Sequence, residues 1–187
     1  MKTPAELFQL YLKSVGRGAN LLLNVPPNRR GLIHENDSAA LVEFRRLRDK
    51  NFAINIAKQG MGYFIPHNGK RKAPVMNDGT ILTYETISLA HLQSMGIEFA
   101  TEQKINCIVL REDLSKGQAC AGFRLLLMNK KHELVSEIKG TTIGRKRIIT
   151  FPETEVGIIG LVIDNQKMAT RITEVEAYLI DSALIEN

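Results

Sequence analysis

One segment, residues 19–37 (ANLLLNVPPNRRGLIHEND), constrains the fold more than any other part of the chain. Its three leucines at 21–23 are apolar without alternation, which is typical of a strand covered on both faces of a parallel sheet. The prolines at 26–27 end this strand, because proline has no amide hydrogen to donate to a neighbouring strand. The sequence therefore predicts a buried parallel strand at 20–25, although no other part of the chain reads as its parallel neighbour.

Two helices are predicted to flank this strand. The first covers residues 3–16, where Thr3-Pro4-Ala5-Glu6 has the form of a capping box with proline at the first helical position. The second starts near Asn36 or Asp37 and belongs to a segment that extends to residue 58. A helix–strand–helix order is the pattern of α/β architecture, but one such unit is too small to stand alone.

From residue 81 onward the hydrophobic period changes to two, and turn residues separate short apolar segments at even spacing. The predicted strands are 81–87, 96–100, 105–111, 122–128, 133–138, 146–151, 157–163 and 172–179. This pattern predicts a mainly β fold, with an antiparallel β-sandwich at 81–187. Glycine and proline recur between residues 59 and 80, which predicts a linker between the sandwich and an N-terminal domain at 1–58.

The composition narrows the classes of function. The chain has 187 residues, of which 44% are hydrophobic and 24% charged, as in ordinary globular proteins. It has no apolar run of about 18 residues and no apolar signal-peptide core at its start. Its net charge of +5 lies in the first 60 residues, but no aromatic platform or nucleic-acid motif accompanies it. We therefore expect neither a membrane partner nor a nucleic-acid partner.

The chain has two cysteines, Cys107 and Cys120. Cys107 lies in an apolar strand pattern, where a small buried thiol is the ordinary interpretation. A disulfide between the two cysteines stays open at this point. No Cys/His spacing indicates a zinc site.

Two parts of the sequence resemble a known family. The runs 20–27 (NLLLNVPP) and 29–37 (RRGLIHEND) are similar to the end of the catalytic domain of α-L-fucosidases of glycoside hydrolase family 29. The second half resembles the discoidin-type, galactose-binding-like sandwich that follows the barrel in many bacterial members. The runs that carry this second resemblance are 109–113, 117–118, 140–144, 146–148 and 172–178.

The resemblance implies where a substrate would meet this chain. The family's fold is a (β/α) barrel with its active site at the carboxyl ends of the strands, so the loop at 26–35 would lie on the catalytic face. Arg29, Arg30 and His34 are then the candidates for contact with a sugar. The alternative is that the arginines fix the loop by hydrogen bonds and that His34 helps to start the following helix.

The resemblance also implies a retaining glycosidase, whose mechanism needs two carboxyl groups about 5 Å apart. In the family both residues lie upstream of the segment that matches here. Glu35 and Asp37 are close in sequence, but acidic residues at a helix start are favoured by the helix dipole. The prediction is that this chain holds no catalytic residue and is inactive without the missing barrel segment.

For the sandwich, the resemblance implies either support of the barrel or binding of carbohydrate through loops at one end. Tyr84 is the candidate aromatic platform, since the chain has no tryptophan. A calcium ion held near residues 77–79 is the one cofactor that the resemblance suggests. The expected partners are a fucosylated glycan and the missing catalytic segment, and the implied location of the parent enzyme is periplasmic or secreted. The alternative function is a stand-alone carbohydrate-binding module without hydrolytic activity.

Overall fold

A computed structural model describes residues 2–65, 75–88 and 94–185. Its α-helices are α1 (Pro4–Lys13) and α2 (Glu35–Asn51), and short 3₁₀ turns lie at Val15–Arg17, Ile56–Gln59 and Ser182–Leu184. Its strands are β1 (Met61–Ile65), β2 (Glu85–Ile87), β3 (Ser94–Glu112), β4 (Cys120–Met128), β5 (Leu134–Gly140), β6 (Arg147–Gln166) and β7 (Thr170–Tyr178). No helix within the described ranges has the length and apolar character needed to cross a bilayer.

The seven strands form one sheet in which every pair is antiparallel, and two long strands fold that sheet into two layers. The first part of β3 pairs with β1 and with the last part of β6. The second part of β3 pairs with β7 and with the first part of β6. The strand order is thus β1-β3-β6-β4-β5 in one layer and β2-β7-β3-β6 in the other. The predicted antiparallel β-sandwich is confirmed.

The prediction divided each of the two long strands into a pair of short ones. In β3 the register changes between Glu98 and Gln103, where exposed polar residues lie between two apolar runs. This bend carries the chain from one layer to the other, and its polar residues resemble those of a turn. For the same reason the prediction separated 146–151 from 157–163, although Arg147–Gln166 form the single strand β6.

One apolar core fills the space between the two layers. Its members come from strands of both layers and include Met95, Ile97, Leu110, Phe123, Leu125, Leu161 and Ala177. Gly140 permits a close approach to this core, because a Cβ at that position would lie 2.2 Å from the Cζ atom of Phe123. The sandwich therefore has a continuous, closely packed interior of its own.

The two helices pack on the outer face of the layer that contains β7. A second apolar cluster joins them to the sheet, and we call its rings the aromatic cluster: Phe8, Tyr11, Phe44, Phe52 and Tyr178. Phe52 stacks on Phe8 with ring centres 6.1 Å apart and meets Tyr178 edge-on at 5.0 Å. Because helices cover β3 on one side and the core covers it on the other, residues 105–110 are buried without alternation.

The buried strand predicted at 20–25 is not formed. Residues 21–26 pair with no strand, and the side chain of Leu22 is 94% exposed. The segment makes one isolated bridge, between Pro27 and Ile33. The physical reason is the absence of a neighbour, since all strand pairs among the described residues are antiparallel and already belong to the sandwich. The two helices that flank this segment are confirmed.

The segment predicted as a linker, 59–80, is structured at its start. Met61–Ile65 form β1 and pair with β3, so the sandwich begins about twenty residues earlier than predicted. Glycines at 60 and 62 suggested an irregular segment, but Gly60 lies against the side chains of Ile97 and Phe99. Residues 66–74 of the predicted linker lie outside the described residues, and the division into two domains stays a prediction.

Candidate functional site

The loop at 26–35 holds three of the residues predicted to contact substrate. The side chain of Asn28 shapes this loop, because its Oδ1 accepts the backbone amides of Arg30 at 2.9 Å and Leu32 at 3.2 Å. Arg29 and Arg30 are exposed, and an Arg30 nitrogen lies 4.0 Å from a carboxylate oxygen of Glu35. His34 caps α2, since its Nδ1 accepts the amide of Asn36 at 3.2 Å. The structure thus gives His34 the helix-starting role.

Tyr84, the fourth predicted residue, lies beside the sandwich strand β7. Its ring is 44% exposed, and the guanidinium of Arg171 lies 4.8 Å from the ring centre. Arg171 also donates to a carboxylate oxygen of Asp113 at 3.0 Å. A small pocket of about 210 Å³ adjoins Arg171 and Asp113. Tyr84 therefore forms a group with Arg171 and Asp113, which the sequence pattern did not predict.

A group of charged side chains lies elsewhere, in a groove between the helices and the sheet. Arg111, at the end of β3, lines both a cavity of about 610 Å³ and a neighbouring cavity of about 490 Å³. Arg48 on α2 and Lys146 before β6 line the first, while Glu174 and Glu176 on β7 line the second. We call these two joined cavities the interface groove.

Charged hydrogen bonds in the interface groove join distant parts of the chain. The Nε of Arg111 donates to one carboxylate oxygen of Glu176 at 2.6 Å, and the hydroxyl of Tyr178 donates to the other at 2.6 Å. Burial and this bond raise the pKa of Tyr178. Lys146 donates to the hydroxyl oxygen of Tyr11 at 2.7 Å and lies 5.7 Å from the ring centre of Phe52. Polar contacts thus reinforce the aromatic cluster between helices and sandwich.

Glu174 is the most perturbed carboxyl group in the groove. It is buried, and its two oxygens accept the backbone amide of Gly79 at 3.1 and 3.2 Å. Burial, together with the nearby charges of Glu176 and Asp78, raises the pKa of Glu174 to about 7. The group therefore changes charge near neutral pH, at the point where the 77–79 turn meets β7.

The turn at 77–79 was the candidate for calcium. The amide nitrogen of Asn77 donates to the carbonyl oxygens of Ala57 at 2.8 Å and Gly60 at 3.1 Å. The carboxylate of Asp78 accepts the amide of Thr80 at 2.9 Å and the hydroxyl of Thr83 at 2.8 Å. These side chains hold the turn in place and do not fit a calcium site. Within the described ranges, no three His, Cys, Asp or Glu side chains are grouped to hold a metal ion.

The two cysteines are both buried free thiols. Cys107 lies in the cluster under the helices, whereas Cys120 lies in the core between the layers. Burial raises the pKa of the Cys107 thiol and raises the pKa of Cys120 to about 11. Cys107 and Cys120 therefore form no disulfide bond with each other. Both thiols pack as small apolar side chains.

The chain is similar to known proteins over most of its length. No family model matches the chain. The chain is 31% identical over 179 residues to an α-L-fucosidase 1 of rice (Oryza sativa subsp. japonica), a match that covers 89% of the chain and 33% of the relative. It is 28% identical over 185 residues to α-L-fucosidase 1 of Arabidopsis thaliana, covering 95% of the chain and 37% of the relative.

A solved structure gives the same result. The Ruminococcus gnavus family 29 fucosidase in complex with fucose is 27% identical to the chain, with a TM-score of 0.84 over 99% of this chain and 38% of that one. The resemblance to the C-terminal portion of family 29 α-L-fucosidases, namely the end of the barrel and the sandwich, is confirmed. The chain spans about a third of the length of the curated relatives that it matches.

Proposed function

We propose that this chain acts as the C-terminal portion of an α-L-fucosidase, and that its sandwich holds the last part of the catalytic barrel in position. The parent enzyme would hydrolyse α-L-fucosyl linkages in glycans with retention of configuration. The aromatic cluster is the observation that carries this proposal. Phe8 and Phe52 on the helical side are packed against Tyr178 of β7, so the two parts form one unit with an apolar contact.

The proposal includes the absence of hydrolysis by the chain alone. A retaining glycosidase needs two carboxyl groups about 5 Å apart on either side of the scissile bond. The side chain of Glu35 is 92% exposed at the start of α2, where it favours the helix. Glu174 and Glu176 are engaged by Gly79, Arg111 and Tyr178. The catalytic groups would therefore come from the segment that the longer relatives possess.

The loop at 26–35 is the proposed point of contact with the glycan. Arg29 and Arg30 are exposed there, and a guanidinium can donate several hydrogen bonds to sugar oxygens. The fucose bound in the Ruminococcus gnavus relative supports a fucosylated glycan as the ligand of the parent enzyme. A periplasmic or secreted location of that parent belongs to the same proposal.

The test is a fusion enzyme in which this chain replaces the matching portion of the Ruminococcus gnavus fucosidase. The fusion enzyme should release the aryl group from an aryl α-L-fucoside, whereas the chain alone should release none. Phe52→Ala, which breaks the aromatic cluster, should reduce the activity of the fusion enzyme, and Leu134→Ala, at an exposed position on β5, should not. A folded but inactive fusion enzyme, or equal activity of the chain alone, would contradict the proposal.

The group around Tyr84 favours a second candidate function, carbohydrate binding by the sandwich. An exposed aromatic ring next to an Arg171–Asp113 pair and a pocket of about 210 Å³ offers stacking and hydrogen bonding together. A glycan array probed with the whole chain tests it. Binding that is lost in Tyr84→Ala and kept in Tyr63→Phe supports this function, and binding to no glycan removes it.

A further inference from the structure

The larger cavity of the interface groove has an unbalanced charge. Four cationic side chains line it: Arg48, Arg111, Arg145 and Lys146. No acidic side chain is among the described residues that line this cavity of about 610 Å³. The rest of the lining is uncharged and includes Tyr11, Val15 and residues 18–21. We call the four cations the rim of the cavity and the apolar side chains among the uncharged residues its floor. The cavity thus combines an apolar floor with a positive rim.

Two of the four cations have carboxylate partners beside the cavity. Arg48 bonds Asp49 at 2.7 Å, and Arg111 bonds Glu176 at 2.6 Å. Lys146 instead donates to the neutral hydroxyl of Tyr11. Arg145 is exposed and makes no ion pair with any residue in the described ranges. Positive charge at the rim therefore exceeds the negative charge that the described part of the chain supplies.

Arg147, the first residue of β6, follows Lys146 in sequence and is not among the residues that line the cavity, but it also lacks a partner. The Nε atom of Arg147 is buried and has no hydrogen-bond partner among the described residues. Burial and the charge of Arg17 lower the pKa of Arg147. A buried guanidinium nitrogen without an acceptor is costly. Three cations that are consecutive in sequence, 145–147, thus have no carboxylate partner among the described residues.

The unpaired segment runs along the same cavity. Residues 19–21 line it, and Leu22, Leu32 and Ile33 further along the same segment expose large apolar side chains. A segment with unpaired backbone and exposed leucine is typical of a surface that another polypeptide covers. The alignments leave about two thirds of each curated relative outside the matched part, so those relatives contain a polypeptide that could cover it.

We infer that this cavity receives a carboxylate-bearing segment of the catalytic portion, which neutralises Arg145 and Lys146 and covers residues 19–21. This inference rests on the proposed function, because the occupant is the segment that the longer relatives carry. An Asp or Glu side chain from that segment would pair with the cations, and apolar neighbours would contact the floor. The inference names an interaction surface, and it differs from the loop at 26–35, which is proposed to meet the glycan.

The isolated chain provides the first test, with citrate as a carboxylate probe. Calorimetric titration against sodium chloride of equal ionic strength should show citrate binding to the wild-type chain. Arg145→Gln/Lys146→Gln should weaken citrate binding at least about tenfold, because it removes two of the unpaired charges. Lys131→Gln/Lys139→Gln removes the same charge from exposed positions at β5 and should change nothing. Absence of citrate binding, or equal loss in both double variants, would overturn the inference.

The fusion enzyme provides the second test. It distinguishes between a peptide segment and a free anion as the natural occupant of the cavity. If the catalytic portion fills the cavity, citrate should bind the fusion enzyme at least about tenfold more weakly than it binds the isolated chain. Equal citrate binding to both would identify a free-anion site and overturn the inference.

Activity measured on the same sample shows whether the inference about the cavity or the proposed function has failed. An active fusion enzyme that still binds citrate refutes the inference alone. An inactive fusion enzyme that has lost citrate binding refutes the proposed function alone.

Discussion

Two apolar runs of this chain differ in burial: one lies buried in a strand, and the other is unpaired and not buried. Residues 107–110 belong to the second half of β3, where β6 and β7 pair with the backbone and side chains are buried on both faces. Residues 21–23 are equally apolar, yet they pair with nothing and Leu22 is almost fully exposed. The comparison teaches that an apolar run becomes a buried strand only where the same polypeptide supplies both hydrogen-bonding neighbours and covering layers.

The helices lie between these extremes. They are covered on one side by the sandwich through the aromatic cluster, whereas no residue of α2 is fully buried. The sandwich thus has a complete core, the helices share one interface with it, and the segment 19–33 exposes apolar side chains that we propose a partner covers. Four predictions test this order, beginning with the largest expected effect.

Truncation of the sandwich core should be the most damaging change. Phe123 is buried in β4, and its ring packs closely over Gly140 of β5. A Cβ atom at Gly140 would lie 2.2 Å from the Cζ atom of Phe123. Phe123→Ala should lower the free energy of unfolding by about 3–5 kcal/mol, because a large cavity replaces the ring. Urea denaturation followed by circular dichroism measures this change. A loss below about 1 kcal/mol would show that the sandwich does not depend on this core.

Truncation within the aromatic cluster should release the helices selectively. Phe8 is fully buried and stacks on Phe52. Phe8→Ala should cost about 3 kcal/mol, and hydrogen exchange should show that α1 loses protection while β4 keeps it. The matched variant Phe123→Ala should affect both regions. Equal loss of protection in α1 and β4 of Phe8→Ala would mean that the helices and the sandwich form one cooperative unit.

A smaller effect should depend on pH through Glu174. Its pKa is about 7 in the folded chain against an ordinary 4.5, so between these values the folded state binds more protons than the unfolded state. Stability should therefore fall as the pH rises from 4.5 to 7, and the cost is fully present above pH 7. Glu174→Gln keeps an acceptor for Gly79 but cannot ionise, so its unfolding midpoint should exceed that of the wild type above pH 7.

The control for this pH effect is Glu155→Gln, at an exposed carboxyl group on β6. Its unfolding midpoint should follow that of the wild type across the same pH range. If Glu174→Gln also follows the wild type, the pKa of Glu174 is not raised in the folded chain.

The smallest effect should come from the exposed leucine. Leu22→Ser should change the free energy of unfolding of the isolated chain by less than about 0.5 kcal/mol, because the side chain makes little contact in the folded state. In the fusion enzyme the same change should destabilise, since a partner would cover this position. Thermal unfolding of both forms, with Leu134→Ser as an exposed control on β5, makes the comparison. A large loss in the isolated chain would contradict the exposed position.

Local signals account for what the sequence predicted correctly. The capping box of α1 is complete within four residues, with the Glu6 amide donating to the Thr3 hydroxyl oxygen at 3.3 Å and the Glu6 carboxylate accepting the Thr3 amide at 2.7 Å. Strands β4 and β7 follow from period-two patterns and turn residues. The strand predicted at 20–25 failed because pairing depends on neighbours, and a local apolar pattern carries no information about them.

Local sequence signals did not predict the interface groove. Its bonds join residues far apart in sequence, such as Arg111 with Glu176 and Lys146 with Tyr11, which are 65 and 135 positions apart. One signal was available, since Glu174 and Glu176 interrupt a buried strand at positions where apolar residues are expected. Carboxylates in such a place require partners, although the sequence alone does not name them.

Hydrogen exchange of the amides at 21–25 tests the central claim most directly. The account predicts rapid exchange in the isolated chain, because these amides have no strand partner, and exchange at least about 100-fold slower in the fusion enzyme, where the catalytic portion supplies neighbours. Protection of these amides in the isolated chain would contradict the account. Equally rapid exchange in a folded fusion enzyme would contradict it as well.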